Sequence, residues 1–313
     1  MKKLIVIAGP TASGKTALSI AVAQRLNGEI VSADSMQIYC GMDIGTAKAT
    51  PDEQAMVPHH MLDILSPGEN YSVSRYVDEA ATVCEDIFQR RKLPIVTGGT
   101  GLYIDALLAG RRFAGLSGEG SPLRESLNAE YDRLGGEEML RRLHEADPAR
   151  AEKLNPGDRR RIVRALEVFG MTGEPISTHD TRSREQAPLF GALYTVLEFR
   201  NREILYHRIE ERVDQMCRDG LFEETEALQT LQIPEDSTCL QAIGYRQALQ
   251  ALRGEFCREE AIISIKQATR RYAKRQLTWF RRHDEALRLF ADELTTEEMA
   301  DRVCEAYERY ERE

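Results

Sequence analysis

Residues 9–16 read Gly-Pro-Thr-Ala-Ser-Gly-Lys-Thr and follow the apolar run LIVIA at 4–8. The spacing fits G-x-x-x-x-G-K-[ST], a loop whose backbone amides cradle phosphate oxygens. Gly9, Pro10, Thr11, Ala12, Ser13, Gly14, Lys15 and Thr16 are therefore the candidate phosphate-binding residues. The glycines let successive N–H groups turn toward one anion, and a helix opening at Lys15 adds the positive end of its dipole. Lys15 supplies a mobile cation, and Thr16 offers a hydroxyl of the kind that usually meets Mg2+. The pattern specifies a diphosphate-sized anion and room for a metal, but no nucleotide. A nucleotide-consuming enzyme also needs a second carboxylate for the metal. The strand-like LPIVTGG at 93–99 ends in glycines where such a carboxylate often sits.

A second chemical group follows the strand-like EIVSA at 29–33: Asp34, with Ser35, Met36 and Gln37 behind it. Thr97 and Thr100 add short polar groups after the 93–99 run. In open α/β sheets, ligands collect at the carboxyl ends of the strands, so these loops should meet the phosphate loop. Asp34 there can take a proton, a metal or an amine; equally, an Asp at that position can cap a turn.

The elements that must position these groups read as repeated strand, loop and helix. KLIVIA (3–8), EIVSA and LPIVTGG are buried strands of a parallel sheet, and ALYTVLEF (192–199) is a later one. TALSIAVAQRL (16–26), residues 73–91 and TGLYIDALLAG (100–110) have helical patterns. Glycines and Pro122 across 111–122 suggest a linker, and from 123 to about 172 only helical patterns occur. The expected fold is α/β: a P-loop NTPase-like parallel sheet flanked by helices, with a helical insertion and a helical C-terminal part. The division expected is a catalytic core of 1–115 and 190–313 and an insertion of 116–189. Residues 173–190 read as a polar connection, and the tail after 285 as a charged helix without an evident role.

Two basic clusters stand out on a chain of net charge −9. Residues 266–283, KQATRRYAKRQLTWFRRH, hold seven Lys or Arg and no acid, with Tyr272, Trp279 and Phe280 interleaved. RRRIVR at 159–164 is the second. Such patches suit a phosphate backbone; a solvated helix face with aromatics packed inward is the plainer reading.

The order GPTASGKT, DSMQIY, GMDIGTAK (41–48), PHHMLD (58–63) and GGTGLY (98–103) resembles the tRNA dimethylallyltransferase family. The likeness continues through RALEVF (164–169), RIEERVDQM (208–216), GYRQA (244–248) and ATRRYAKRQLTWFR (268–281), covering nearly the whole chain. The resemblance implies transfer of a dimethylallyl group from dimethylallyl diphosphate to N6 of the adenosine at tRNA position 37, beside the anticodon. It implies that the phosphate loop holds the donor's diphosphate with Mg2+ at Thr16, and that Asp34 acts as base. It also implies that Lys15, Thr16, Thr100 and Arg212 serve the reaction; without it, Arg212 reads as part of a charged helix face. The implied tRNA contacts are Asp34, Ser35, Met36, Gln37, Thr100, Arg124, Arg160, Arg161, Arg164, Gln241, Gly244, Tyr245, Arg246, Arg270, Arg271, Lys274 and Arg275.

Competing classes are a P-loop phosphotransferase, which would consume ATP, and a non-catalytic RNA-binding protein, which leaves Asp34 without a task. Six scattered cysteines lack C-x-x-C spacing and read as free thiols of a cytoplasmic protein. The adjacent His59 and His60 make a poor metal site and suit a structural or channel-lining place. No apolar run is long enough for a membrane span. A monomer is expected.

Overall fold

The computed structural model describes residues 1–111, 121–185, 187–231, 233–234 and 237–312. The expected linker glycines Gly115, Gly118 and Gly120 lie outside the described residues. Among the described residues the sheet has six strands: β1 (Lys3–Ala8), β2 (Gly28–Ser32), β3 (His59–His60), β4 (Leu93–Gly98), β5 (Gly191–Glu198) and β6 (Leu287–Phe290). All pairings are parallel, in the order β3-β2-β4-β1-β5-β6. β1 and β4 are buried almost throughout, as apolar β-branched runs covered on both faces must be.

The helices are α1 (Lys15–Arg25), α2 (Pro51–Met56), α3 (Val73–Gln89), α4 (Gly101–Leu108), α5 (Pro122–Leu134), α6 (Gly136–Ala146), α7 (Pro148–Ala151), α8 (Arg159–Thr172) and α9 (Ile176–Glu185). After β5 come α10 (Arg202–Arg218), α11 (Leu221–Gln229), α12 (Tyr245–Leu252), α13 (Arg258–Phe280) and α14 (Thr296–Arg312). Residues 173–190 thus contain a helix, α9, where a polar connection was expected. Its residues lack an apolar stripe of helical period, which hid it.

Two edge strands were also unread. β3 is only His59 and His60, and β6 only four residues, so neither shows a period in sequence. His60 Nε2 lies 2.7 Å from Glu29 Oε2, and His59 Nδ1 lies 2.8 Å from the Val57 carbonyl. The pair is therefore part of the sheet edge. The tail beyond 285 supplies β6 and α14. Met299, Ala300, Val303 and Tyr307 of α14 are buried with Leu18 and Val22 of α1 and Ile5 and Ile7 of β1, closing one sheet face.

The chain divides into two compact units. One comprises Met1–Glu69, Val77–Leu108 and Phe190–Glu313; the other comprises Ala109–Leu189 with Asn70–Tyr76. The second unit has its own core of Met139, Leu143, Ala151, Leu154, Ile162 and Ala165. Its polar centre is Glu167, whose carboxylate is 1% exposed and bonds Arg124 Nη2 at 2.6 Å, Arg164 Nη1 at 2.8 Å and Ser121 Oγ at 2.7 Å.

Candidate active site

The loops after β1, β2 and β4 converge at the carboxyl ends of their strands. They line a cavity of about 610 Å³ together with residues of α10 and α13. β4 and β5 flank β1, so the loop after β1 opens into the crevice where connections diverge to the two sides.

The phosphate loop has an anion cradle's construction. Gly14, at φ +89°, precedes α1 in a left-handed conformation, and no side chain caps that helix. The amides of its first turn are thus left for a ligand. Ser13 Oγ is buried with no hydrogen-bond partner among the described residues, as is Thr97 Oγ1 at the end of β4. Orphaned hydroxyls on a cavity wall fit a polar ligand that completes them. Lys15 Nζ bonds the Pro10 carbonyl at 2.7 Å. Burial, then the charge of Arg212, lowers its pKa to about 7, with Asp34 opposing. Arg212 projects from α10 onto the same cavity; burial lowers its pKa too, against the attraction of Asp34 and Glu53. Two confined cations that resist their own charge make a strong site for a multiply charged anion.

Asp34 serves both of its sequence readings at once. Its Oδ1 accepts the Met36 N–H at 2.9 Å, the turn-capping bond. Its Oδ2 has no hydrogen-bond partner among the described residues, and the side chain lines the cavity. The loop after β4 (the acceptor loop) is tied to the segment that carries Asp34: Thr100 N–H donates to the Ala33 carbonyl at 3.1 Å, and Thr100 Oγ1 accepts the Ser35 N–H at 3.1 Å. Ser35 and Met36 line the cavity. Gln37 is engaged internally: its Nε2 donates to the carbonyls of Thr46 and Ala47 at 3.2 and 3.1 Å. Thr16 is half-buried at the cavity wall.

The basic residues separate into two kinds. Arg271, Lys274 and Arg275 of α13 are exposed, as are Arg246 of α12 and Gln241. Arg160 and Arg161 are exposed on α8 of the second unit. Arg270 pairs with Glu210, and Arg124 and Arg164 are held by the buried Glu167. Arg124 joins α5 to α8 and Arg270 joins α13 to α10, while the Arg164 pair lies within α8. Tyr245 needs a correction: its side chain is 0% exposed, so it offers no contact surface. Its hydroxyl donates to Glu224 at 2.5 Å and accepts the Gly45 N–H at 3.1 Å, and Gly244 beside it is buried as well.

Sequence reasoning missed several supports. Glu224 accepts the N–H groups of Asp43, Ile44 and Gly45 at 2.9, 2.9 and 3.2 Å, shaping the loop whose Gly45, Thr46 and Ala47 line the cavity. Gln276 and Tyr272 of α13 also line it. Their four-residue spacing inside the basic segment was the available signal.

Fold and cavity define the class: an α/β enzyme of the phosphate-loop type, with a cationic cradle facing a carboxylate. Residues 37–283 match the family model described as IPP transferase, and residues 2–63 the one described as isopentenyl transferase. The chain belongs to the IPP transferase family, which includes the tRNA dimethylallyltransferases. It is 43% identical to the tRNA dimethylallyltransferase of Caldanaerobacter subterraneus, over 97% of this chain and 96% of that protein. It is similar to the crystal structure of the tRNA delta(2)-isopentenylpyrophosphate transferase of Staphylococcus epidermidis, with 37% identity, TM-score 0.72, and 99% and 100% of the two chains covered. It is also similar to a eukaryotic dimethylallyltransferase acting on tRNA, with 30% identity, TM-score 0.79, and 93% and 74% covered.

Proposed function

We propose that this enzyme transfers the dimethylallyl group of dimethylallyl diphosphate to N6 of the adenosine at tRNA position 37, releasing diphosphate. One observation carries the reading: Lys15 and Arg212 face a single cavity whose opposing carboxylate, Asp34, has an oxygen without a partner among the described residues. The diphosphate lies in the loop of residues 9–16. Asp34 accepts the proton of the adenine amino group as the C–N bond forms and the allylic C–O bond breaks. General-base help matters because that amine's lone pair is delocalised into the ring. Lys15, Arg212 and the loop amides hold the charge that grows on the departing diphosphate, so they act more strongly in the transition state than before it. Ser35 and Met36 form the wall against which the extruded nucleotide rests, and Thr100 holds Ser35 in place through its backbone N–H.

Thr16 and the orphaned Ser13 hydroxyl suit a metal carried on diphosphate oxygens. The described residues contain no cluster of three acidic, His or Cys ligands that would hold an ion alone. Mg2+ bound there would supply further neutralisation of the leaving group. Exposed Arg271, Lys274, Arg275 and Arg246 suit the phosphates of the anticodon stem-loop, and Arg160 and Arg161 form a separate exposed cationic pair on the insertion that suits RNA phosphates as well. Gln241 and the buried Gly244 line the cavity. Arg270 supports the cations of α13 by holding that helix to α10, and Arg124 supports those of α8, where Arg164 also pairs with Glu167, by holding α5 to it. All six cysteines are free thiols, which supports a cytoplasmic protein. No helix among the described residues is long and apolar enough to cross a membrane. A monomer is part of the same proposal.

The test is transfer of radiolabel from dimethylallyl diphosphate to unmodified tRNA with Mg2+ and no ATP. Label in the tRNA that is lost with Asp34→Ala, while tRNA binding persists, is the expected result. Absence of label together with ATP hydrolysis overturns the reading in favour of a phosphotransferase.

A further inference from the structure

Gln276 is 5% exposed on α13, about one turn before its C-terminal end, and it bridges two loops that no strand pairing joins there. Its Oε1 accepts the N–H of Thr11 in the phosphate loop at 2.9 Å. Its Nε2 donates to the carbonyl of Gly99, in the loop that carries Thr100, at 3.0 Å. A carboxamide is the side chain that can accept on one side and donate on the other at this length. The contact is close enough to dictate the neighbour: a Cβ on Gly99 would lie 2.2 Å from Gln276 Nε2. One turn on, Trp279 sits against Gly101, where a Cβ would lie 2.2 Å from its ring, and its Nε1 donates to Asp105 of α4 at 2.9 Å. One turn back, the Tyr272 side chain lies against those of Thr100 and Gln276. Residues 272, 276 and 279 thus form one inward stripe, while Arg271 and Lys274 are exposed and Arg275 lies over the Tyr272 ring at the cavity edge.

We infer that Gln276 is a positioning residue that sets the donor's phosphate loop in register with the acceptor loop, so that α13 carries both tRNA contact and donor alignment. The inference rests on the prenyl-transfer reading above. Such alignment matters because a displacement of about 1 Å between reacting groups costs on the order of 10²-fold in rate. The bridge acts through the loops: Gln276 occupies the Thr11 N–H and so fixes the backbone of the phosphate loop, and it holds the Gly99 peptide on its other side.

The experiment compares wild type, Gln276→Met and Gln276→Glu in steady-state transfer. Alongside run tRNA affinity, thermal melting, and amide hydrogen exchange of the peptide covering 9–16. For Gln276→Met the expected result is a kcat lower by about 10²-fold. The donor KM rises, tRNA affinity stays within about twofold, and exchange in 9–16 is faster. Gln276→Glu keeps an acceptor for Thr11 and loses the donor to Gly99. Its exchange in 9–16 stays at the wild-type rate while kcat falls. Unchanged kcat and donor KM in Gln276→Met overturn the inference. So does a loss of tRNA affinity that parallels kcat with 9–16 exchanging as in wild type. Where Gln276→Met does not fold, Gln276→Glu decides: wild-type kcat, or lost protection in 9–16, overturns it. A wild-type protein that transfers no label instead overturns the prenyl-transfer reading itself.

Discussion

Arg212 lowers the pKa of Lys15 within one cavity, acting with burial to bring the ammonium down to about 7, and Asp34 only partly offsets the two. The free site therefore holds its Lys half-protonated near neutral pH. A diphosphate in the loop restores the charge. Donor binding should accordingly take up a proton above pH 7 and take up none well below it. Affinity should be level below pH 7 and fall by at most about tenfold per pH unit above it. Titration calorimetry of donor binding in buffers of different ionisation heat reads the uptake directly.

The same shift has a stability consequence. Between about pH 7 and the unfolded value of 10.5, the unfolded chain binds more protons at Lys15 than the folded one. Stability of the ligand-free protein from this group therefore rises with pH across that window. Lys15→Met should remove that slope and raise the melting temperature at pH 7, while lowering kcat by about 10²–10³-fold. Melting curves at pH 7 and 9 with a transfer assay check both.

Glu29 lies at the start of β2, about 16 Å of strand from Asp34. Hydrogen bonds from Arg90 outweigh burial, and with Lys92 and His60 they lower its pKa to about 2. Its contribution is complete above the unfolded value of 4.5 and is lost as pH falls toward 2. Glu29→Gln should cost about 1–3 kcal/mol at pH 7, below the figure for a fully enclosed pair because Arg90 is partly solvated. kcat at neutral pH should stay unchanged, and the acid-unfolding midpoint should move up.

The two kinds of arginine separate by assay. Arg124→Ala leaves the Glu167 carboxylate, which is 1% exposed, with only Arg164 and Ser121 among the described residues, and should lower the melting temperature. Arg271→Ala with Lys274→Ala should leave melting unchanged. That double variant should reduce the slope of log affinity for tRNA against log salt by about 1.4. Binding isotherms at several salt concentrations measure it.

Local residues determined much of this protein without help. The run at 3–8, the loop at 9–16 and the helix behind it are each written within a few residues: β-branching, glycines and 3.6-residue periodicity act over short distances. The same holds for the apolar strands at 93–98 and 191–198, and for the basic stretch of α13. Tertiary structure alone decided the remainder. β3 and β6 are strands only because a neighbouring edge supplies their partners, since two or four residues carry no period. Glu224 reaches Gly45 across about 180 residues and Gln276 reaches Thr11 across about 265, separations at which no local pattern reports a contact. Whether an arginine meets solvent, as Arg271 does, or a buried carboxylate, as Arg124 does, depends on what folds against it. The charge of Lys15 at neutral pH depends likewise on the distant Arg212, since loss of solvent and repulsion between the two cations act only once the chain has brought both to one cavity.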